Sequence, residues 1–258
     1  MSKIFVTGDK HGDYYQLSDQ LSSIPGLTKK DVVIILGDHG TLYYGARDDK
    51  HKKKLVLNLP TTFIMIRGNH DRRPSSEEYN HQIVHIDNES YCGDFYVDPN
   101  FPNILYTMEY GWYRFGSKKV FVIGGAYSVD KFKRLEMQQL GFSQYYWFAD
   151  EQLNSEEQAN AIALYRDTAK NAGEHYIMSH TCPQKYKPYD TFMSGINQKL
   201  VDGSMEEWLD KFEKLELYNE WYCGHWHIER SIDKMRFTYN TLRIFDDIEE
   251  NTNESLSE

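Results

Sequence analysis

The sequence predicts an α/β fold built on buried strands. Its front part alternates short apolar runs with stretches of helical periodicity. Each apolar run is too short for a good helix and is bounded by glycine, which favours strands buried on both faces and often paired in parallel. The 258 residues show no internal repeat, linker or break in composition, so we expect one domain over residues 1–245. We expect the acidic residues 246–258 to form a disordered tail.

Three strands and two helices are predicted in the front part of the chain. The strands cover residues 4–7, 32–36 and 62–66, where apolar side chains follow one another. The helices cover about residues 14–23 and 50–57 and connect successive strands. Each of the three strands leads into a loop that contains glycine.

The rest of the chain predicts further short strands and two more helices. A long helix is expected over about residues 155–171, with Asn154 or Ser155 as its N-cap. Ser204 and Glu207 form a capping-box signature for a second helix, which ends near residue 215. The predicted strands cover residues 91–95, 104–108, 111–115, 120–124, 176–178 and 221–223, and about residues 235–245.

Charge and composition argue against two classes of binding partner, nucleic acids and membranes. The net charge is −10, and six acidic residues after Phe245 have no base to offset them. The rest of the chain is only mildly acidic, so we expect no extended nucleic-acid interface. We interpret the basic run over residues 47–54 as a solvated helix face. No apolar run approaches the roughly 18 residues of a membrane helix, and no secretory leader is seen, so we expect no membrane partner.

The cysteines indicate a reducing environment. Cys92, Cys182 and Cys223 lie far apart in the sequence and form no C-x-x-C pair. This spacing argues against a disulfide framework or a structural zinc ribbon, so we expect a cytoplasmic protein. We interpret each cysteine as a small buried side chain.

Metal-binding residue types recur after five of the predicted strands. In open α/β sheets, ligands bind outside the carboxyl ends of the strands, so these loops predict a concentrated metal site. Six of the ten histidines lie in the loops when His39 is counted. The residues are Asp9 and His11, Asp38, Asn69 and His70, His180, and His225 and His227.

The ligand types indicate which metals the site binds. Carboxylate, imidazole and amide oxygen groups, with no thiolate among them, suit Mn²⁺, Fe, Zn²⁺ or similar ions rather than Ca²⁺. The ligands are too numerous for one tetrahedral ion and are sufficient for two. An aspartate with two carboxylate oxygens can bridge such a pair.

The ordered motifs resemble those of the calcineurin-like metallophosphoesterase superfamily, in a bacterial or phage-type member. This resemblance implies an α/β fold in the form of a four-layer α/β/β/α sandwich. It would have two mixed central sheets, with a dinuclear metal site at the C-terminal ends of the strands. The motifs are Gly8-Asp9-Lys10-His11-Gly12, Gly37-Asp38, Gly68-Asn69-His70-Asp71, Ser179-His180 and Gly224-His225-Trp226-His227.

The resemblance also implies a role for each matched residue. Asp38 would bridge the two metals, and His70 would face the leaving group as the catalytic acid. The implied activity is metal-dependent hydrolysis of a phosphate ester, through in-line attack by a metal-bridging hydroxide. The remaining ligands would divide into Asp9, His11 and His227 for the first metal and Asn69, His180 and His225 for the second.

One motif departs from the family pattern. In protein phosphatases of the family, an Asp and an Arg follow shortly after the bridging aspartate, where the Asp orients the catalytic histidine and the Arg binds phosphate. Here the stretch reads Gly37-Asp38-His39-Gly40-Thr41-Leu42-Tyr43, so both residues are missing. This puts protein phosphatase activity of that type in doubt. We predict Arg72, His39 and Tyr127 as substrate-binding residues instead.

Three functions are compatible with these motifs. We expect a phosphomonoesterase, and the first alternative is a phosphodiesterase or nuclease that uses the same two metals. The second alternative is a phosphoesterase-fold interaction protein without catalysis, which we expect to have lost metal ligands. The sequence leaves the identity of the phosphorylated substrate and the oligomeric state open.

Overall fold

The computed structural model describes residues 2–142, 145–192 and 200–248. Five α-helices and two short 3₁₀ turns, Gln184–Tyr186 and Tyr189–Thr191, lie in these residues. The α-helices are α1 (Tyr15–Ser22), α2 (Lys50–Leu57), α3 (Lys131–Gln139), α4 (Ser155–Ala172) and α5 (Ser204–Glu213). The strands are β1 (Ser2–Thr7), β2 (Val32–Ile35), β3 (Thr62–Met65), β4 (Gln82–Asp87), β5 (Tyr91–Val97), β6 (Ile104–Thr107), β7 (Tyr110–Phe115), β8 (Lys118–Ile123), β9 (His175–Ser179), β10 (Trp221–Cys223), β11 (Arg230–Ile232), β12 (Met235–Phe237) and β13 (Arg243–Ile248).

The strands form one mixed, curled sheet with two halves. The first half has the order β6-β3-β2-β1-β13, in which only β13 runs antiparallel to its neighbour. The second half has the order β11-β12-β10-β9-β8-β7, with β8, β9, β10 and β12 in parallel. The α/β class and the parallel pairing of the front strands are therefore as the sequence predicts.

Strand β5 joins the two halves, which the sequence led us to expect as separate sheets. Its first residues, Tyr91 and Cys92, pair with β7, and its last residues, from Phe95 to Val97, pair with β6. Strand β4 forms a hairpin with β5. One strand can serve both halves because the sheet curls between them, so the hydrogen bonding is continuous across 13 strands.

The central strands of both halves are buried on both faces. Successive side chains of β1, β2 and β3 alternate between two clusters. Val32 and Ile34 pack with Val120, Val122 and other residues of the second half. The opposite face of these strands packs against the helices. There, Leu17 and Leu21 of α1 and Val56 of α2 pack with Phe5, Val33, Ile35 and Phe63. A third cluster packs β8, β9 and β10 against α4 and α5. This double burial explains the continuous apolar runs in the sequence.

The N-terminal cap predicted from the sequence is confirmed for α4 but not for α5. Asn154 caps α4 in a full capping box with Glu157. The predicted box at α5 is wrong, because Ser204 is the first helical residue and Gly203 is the N-cap. The backbone N–H of Ser204 instead donates to the side chain of Asp202, at 2.9 Å.

The predicted start of the acidic tail also needs correction. Asp246 and Asp247 belong to β13, where they pair with Ile4 and Lys3 of β1. The Asp246 carboxylate accepts hydrogen bonds from the backbone N–H and the hydroxyl of Ser117. The edge pairing and this cap extend the strand beyond residue 245. Residues 249–258 of the predicted tail lie outside the described residues.

Two further predictions concern burial. Cys182 and Cys223 are fully buried, as expected, whereas Cys92 is only partly buried. Across the part of the chain that the structure describes, every helix is too short or too polar to cross a membrane.

Candidate metal centre

The predicted metal ligands converge where the two halves of the sheet meet. Asp9 and Asp38 follow β1 and β2 of the first half, and His180 and His225 follow β9 and β10 of the second. The loops contact one another directly: the backbone N–H of His225 donates to Asp9 Oδ1 at 2.9 Å. The backbone N–H of His70 donates to Asp38 Oδ1 at 2.8 Å. The structure thus brings residues from five separate loops into one cluster.

One group of three potential ligands consists of Asp9, His11 and His227. Their ligand atoms all lie within 4.8 Å of one another. The Nε2 atoms of His11 and His227 are 3.1 Å apart, and His227 Nε2 is 3.0 Å from Asp9 Oδ2. Among the described residues, the buried Asp9 Oδ2 makes no hydrogen bond of good geometry, although His227 Nε2 lies close to it. A buried carboxylate oxygen beside two imidazole nitrogens fits a cation.

A second group surrounds Asp38. Asp9, Asp38 and His180 also place their ligand atoms within 4.8 Å of one another. His180 Nε2 is 3.4 Å from Asp38 Oδ1 and 2.9 Å from Asn69 Oδ1, so three lone-pair-bearing atoms meet. The His225 ring lies beside this group, with its centroid 5.0 Å from that of His180. Asp38 Oδ2 is 3.9 Å from His11 Nε2, which places Asp38 between the two groups.

Outer contacts orient the ligands of the second group. His180 Nδ1 contacts the carbonyl oxygen of Leu36 at 2.6 Å, and this contact directs Nε2 towards Asp38. Asn69 Nδ2 donates to Ser128 Oγ at 2.9 Å, and this hydrogen bond directs Asn69 Oδ1 towards His180. Ser128 in turn donates to the carboxylate of Glu151. The sequence pointed to the loop that carries Ser128 but not to this residue.

The glycines before the ligands are required mainly because neighbouring atoms leave no room for a Cβ atom. Their backbone conformation is the lesser reason. A Cβ atom on Gly8, Gly37, Gly68 or Gly224 would lie closer than 3.0 Å to a neighbouring atom. For Gly68 that neighbour is Asp38 Oδ1, and for Gly224 it is Asp9 Oδ1. Of the four, only Gly37 has a positive φ, of 95°. Close approach of the backbone to another ligand therefore explains most of this motif.

Backbone strain is concentrated in the ligand loops. Six non-glycine residues have a positive φ in the described part of the chain, and four of them are predicted ligands. A positive φ is costly for a residue with a Cβ, and such residues persist where the surrounding structure holds them. The strained loops thus fix the ligand positions before any ion binds. The four residues are His11, Asp38, His225 and His227.

The electrostatics of the cluster favour a cation. Burial acts to raise the pKa of Asp38, but the charges of His70 and His180 outweigh it and hold this pKa well below its usual range. Burial acts to lower the pKa of His180, but the charges of Asp38 and Asp9 raise it to about 9. A metal that binds His180 therefore takes the place of a proton. Burial lowers the pKa of His225 to about 3, so this imidazole is neutral and can bind a metal.

His70 lies at the edge of the cluster with its Nε2 atom 3.9 Å from Asp38 Oδ2. The same nitrogen is 3.2 Å from Asn69 Nδ2 and 3.3 Å from Arg134 Nη2. Burial lowers the pKa of His70 to about 4, and the charge of Arg134 acts in the same direction. Sequence analysis missed Arg134, which lies on α3, a helix that was not predicted.

The structure does not bring the predicted substrate residues to the metal cluster. The Arg72 guanidinium contacts Glu78 at 3.0 Å and the carbonyl oxygen of Tyr43 at 3.1 Å. Tyr127 is buried, and its hydroxyl is 3.5 Å from the carbonyl oxygen of Leu200. An adjacent carboxylate holds Arg72, and packing in the core holds Tyr127, so neither lines the cavities that open on the cluster.

His39 is fully buried and lies next to Asp71, which connects two of the ligand loops. Its Nδ1 atom is 3.3 Å from the Asp71 carboxylate. Asp71 accepts backbone hydrogen bonds from Gly68, His39 and Gly40, and so ties the loop after β2 to the loop after β3.

Two cavities open on the metal cluster, with volumes of about 500 Å³ and 250 Å³. Four residues line both of them: His11, Asp38, His70 and Arg134. The larger cavity has apolar and aromatic walls, which include Phe192 and Trp226. The smaller one is lined by Lys52 and by the tyrosines Tyr43, Tyr44 and Tyr145.

Of the comparisons with known proteins, that with a family model assigns a family to this chain. A comparison with curated proteins finds no match. Among solved structures, the chain is similar to a phosphopantetheinyl hydrolase from Mycobacterium tuberculosis, with 11% identity and a TM-score of 0.46 over 92% of this chain and 88% of that one. It is also similar to a protein of unknown function from Aquifex aeolicus, with 12% identity and a TM-score of 0.32 over 70% of this chain and 81% of that one. The model of the calcineurin-like phosphoesterase family matches residues 2–229.

This match covers most of the chain and includes all five ligand loops, so the protein belongs to the calcineurin-like phosphoesterase family and is a metal-dependent phosphoric ester hydrolase.

Proposed function

We propose that the protein hydrolyses phosphate esters at a dinuclear centre built from Asp38 and six further ligands. The observation that carries this proposal is that the two groups of ligand atoms share Asp9, and that Asp38 of the second group is 3.9 Å from His11 of the first. Asp38, between the groups, would bridge two divalent ions such as Mn, Fe or Zn. Asp9, His11 and His227 would hold the first ion, and Asn69, His180 and His225 the second.

The same proposal includes a four-layer α/β/β/α arrangement. Its support is the separation of the core into three clusters, one between the halves of the sheet and one beneath each pair of helices. Such layering places the carboxyl ends of strands from both halves at one edge. Residues 1–245, with the rest of β13, would then be one domain.

The reaction divides between bound ions and this chain's own side chains. When bound, two divalent ions offset the charge of the phosphoryl oxygens and lower the pKa of a coordinated water. His70 lies beside the cluster, with its Nε2 atom 3.9 Å from Asp38 Oδ2. The negative charge of a bound phosphoryl group would raise the lowered pKa of His70, and the protonated imidazole would then donate its proton to the leaving oxygen. The larger cavity, whose walls include Phe192 and Trp226, would accommodate the organic part of the ester.

A phosphomonoester is the substrate class that we propose first. The mildly acidic chain disfavours long nucleic acids, and the missing Asp and Arg disfavour protein phosphatase activity. One observation supports a phosphodiester as the second candidate. Two cavities meet at the cluster, and a diester carries two substituents that could occupy them.

Turnover and metal content test the proposal together. We expect the purified protein to contain roughly two divalent ions per chain and to hydrolyse p-nitrophenyl phosphate in their presence. Faster turnover of bis-p-nitrophenyl phosphate would favour the diester class. Absence of both metal and turnover would favour an interaction protein.

Asp38→Asn tests the bridging role directly. We expect this change to abolish turnover and to lower metal content, because it removes the buried charge that both ions share. Asp48→Asn is the matched control, since Asp48 is exposed and pairs only with the neighbouring Arg47. Near-normal turnover by the Asp38 variant would contradict the proposal.

A further inference from the structure

Helix α3 brings a cation, Arg134, beside His70 at the edge of the ligand cluster. Arg134 Nη2 is 3.3 Å from His70 Nε2. The guanidinium lines both cavities that open on the metal cluster. Its side chain is only 14% exposed, so its charge is weakly screened by solvent.

Neighbouring groups hold the Arg134 guanidinium in a fixed orientation. Its Nε atom donates to both carboxylate oxygens of Asp130 at 2.8 Å. Its Nη1 atom donates to the Tyr43 hydroxyl at 2.9 Å and to the carbonyl oxygen of Tyr146 at 3.1 Å. Arginine has five N–H groups, and these contacts account for all three on Nε and Nη1.

The remaining nitrogen is therefore the one available to a ligand. Among the described residues, Arg134 Nη2 contacts only His70, so at least one of its two N–H groups has no protein acceptor. An arginine whose other nitrogens are already fixed loses little side-chain entropy when it binds a phosphoryl oxygen. Planar guanidinium groups also match the geometry of phosphate well.

The other arginines near the ligand loops form ion pairs away from the two cavities. Arg72 contacts Glu78, Arg73 contacts Glu157 and Asp150, and Arg67 contacts Glu109. Unlike Arg134, these three residues do not line either cavity.

We propose that Arg134 binds a phosphoryl oxygen of the substrate, and that Asp130 and Tyr43 are positioning residues for its guanidinium. This inference rests on the proposed phosphoesterase function. It assigns to a helix after β8 the phosphate contact that the loop after Asp38 lacks. Because His70 is adjacent, the same guanidinium sets where the phosphate lies relative to the proton donor.

The test compares Arg134→Gln, Arg134→Lys and Arg72→Gln, with Arg114→Gln as the matched control. Arg114 also contacts a carboxylate, Asp87, and backbone carbonyl oxygens, but it lies on β7, away from both cavities that adjoin the cluster. The measurements are competitive inhibition by inorganic phosphate, kcat and KM for p-nitrophenyl phosphate, metal content and melting temperature. Wild-type metal content and turnover test the proposed function separately, so the two ideas can fail independently.

We expect Arg134→Gln to raise the inhibition constant for phosphate by roughly tenfold or more, with normal metal content. Arg134→Lys should retain the charge but give a smaller rise, because an ammonium lacks the planar geometry. The Arg72 and Arg114 variants should bind phosphate normally.

Asp130→Asn tests the positioning role. We expect a smaller rise in the phosphate inhibition constant than for Arg134→Gln, and no added effect in the double variant, since Asp130 acts through Arg134. A merely structural role would give additive losses. Unchanged phosphate inhibition in Arg134→Gln would overturn the inference, as would a loss of metal or of melting temperature large enough to account for the defect.

Discussion

His70 lies beside the ligand cluster, where its backbone and its ring make different contacts. Its backbone N–H binds Asp38, and its ring contacts Asn69 and Arg134, but it belongs to neither group of converging ligand atoms. The motif Gly68-Asn69-His70-Asp71 thus delivers three different roles in three consecutive residues. Asn69 faces the cluster, His70 faces the cavities, and Asp71 secures the loop.

We expect His70→Ala to leave metal content unchanged and to lower kcat by about 10²-fold or more. The loss should be larger for phenyl phosphate than for p-nitrophenyl phosphate, because the poorer leaving group depends more on protonation. Metal analysis and turnover of the two esters provide the measurement. Loss of metal in this variant would mean that His70 is a ligand.

Strand ends are the elements that build this centre. β1, β2, β3, β9 and β10 each stop at the same edge of the sheet, and four of these ends have a glycine nearby. The side chain of another predicted ligand approaches three of these glycines closely, and the backbone of Thr238 approaches Gly8. The spacing of glycine and ligand in the sequence therefore reports contacts between loops as well as local conformation. Asp71 adds a further connection between the loops after β2 and β3.

Gly68→Ala tests this role of the strand ends. The added Cβ would collide with Asp38 Oδ1, so we expect reduced metal content and at least tenfold lower turnover, without loss of the fold. The control is Gly203→Ala, where a Cβ would meet only side-chain atoms at ordinary contact distances. The measurements are metal analysis, turnover and circular dichroism. Normal metal binding by Gly68→Ala would show that the loop can shift freely.

Helix α3 is one of the elements that were not predicted from the sequence. The residues of α3 are all exposed or partly exposed, so the helix has no buried apolar stripe of the kind that reveals an amphipathic helix. Strand β4 was missed for a similar reason, because its side chains are exposed or half-buried and it is held mainly by pairing with β5. Elements without a buried face leave little periodic signal in a sequence.

At the scale of the whole molecule, stability depends on buried polar groups as well as on the core. His175 lies between α4 and the second half of the sheet, where its ring contacts Tyr165 and the carbonyl oxygen of Gly173. Burial lowers the pKa of His175 below its ordinary value of 6.5. The folded protein therefore takes up this proton at a lower pH than the unfolded chain, which is protonated as the pH falls through about 6.5.

We expect His175 to contribute to a loss of stability as the pH falls below about 6.5, because the unfolded state then binds more protons than the folded state. This stability is fully present at higher pH. Urea unfolding of the metal-free protein at several pH values between 5 and 8 provides the measurement. His175→Gln should flatten the dependence, and His51→Gln, which alters an exposed histidine on α2, should not. Equal slopes in all three proteins would contradict this prediction.

The sequence by itself determined the α/β class, the order of the front elements, the five ligand loops and the phosphoesterase family. These features were readable because each leaves a local signal, either an apolar run or a glycine beside a ligand. Only the tertiary structure decided that β5 joins the two halves, that Arg72 and Tyr127 lie away from the cluster, and that Arg134 lies beside His70. The contact between Arg134 and His70 joins residues 64 positions apart. No local pattern encodes it, because it depends on how α3 packs against the loops after β2 and β3.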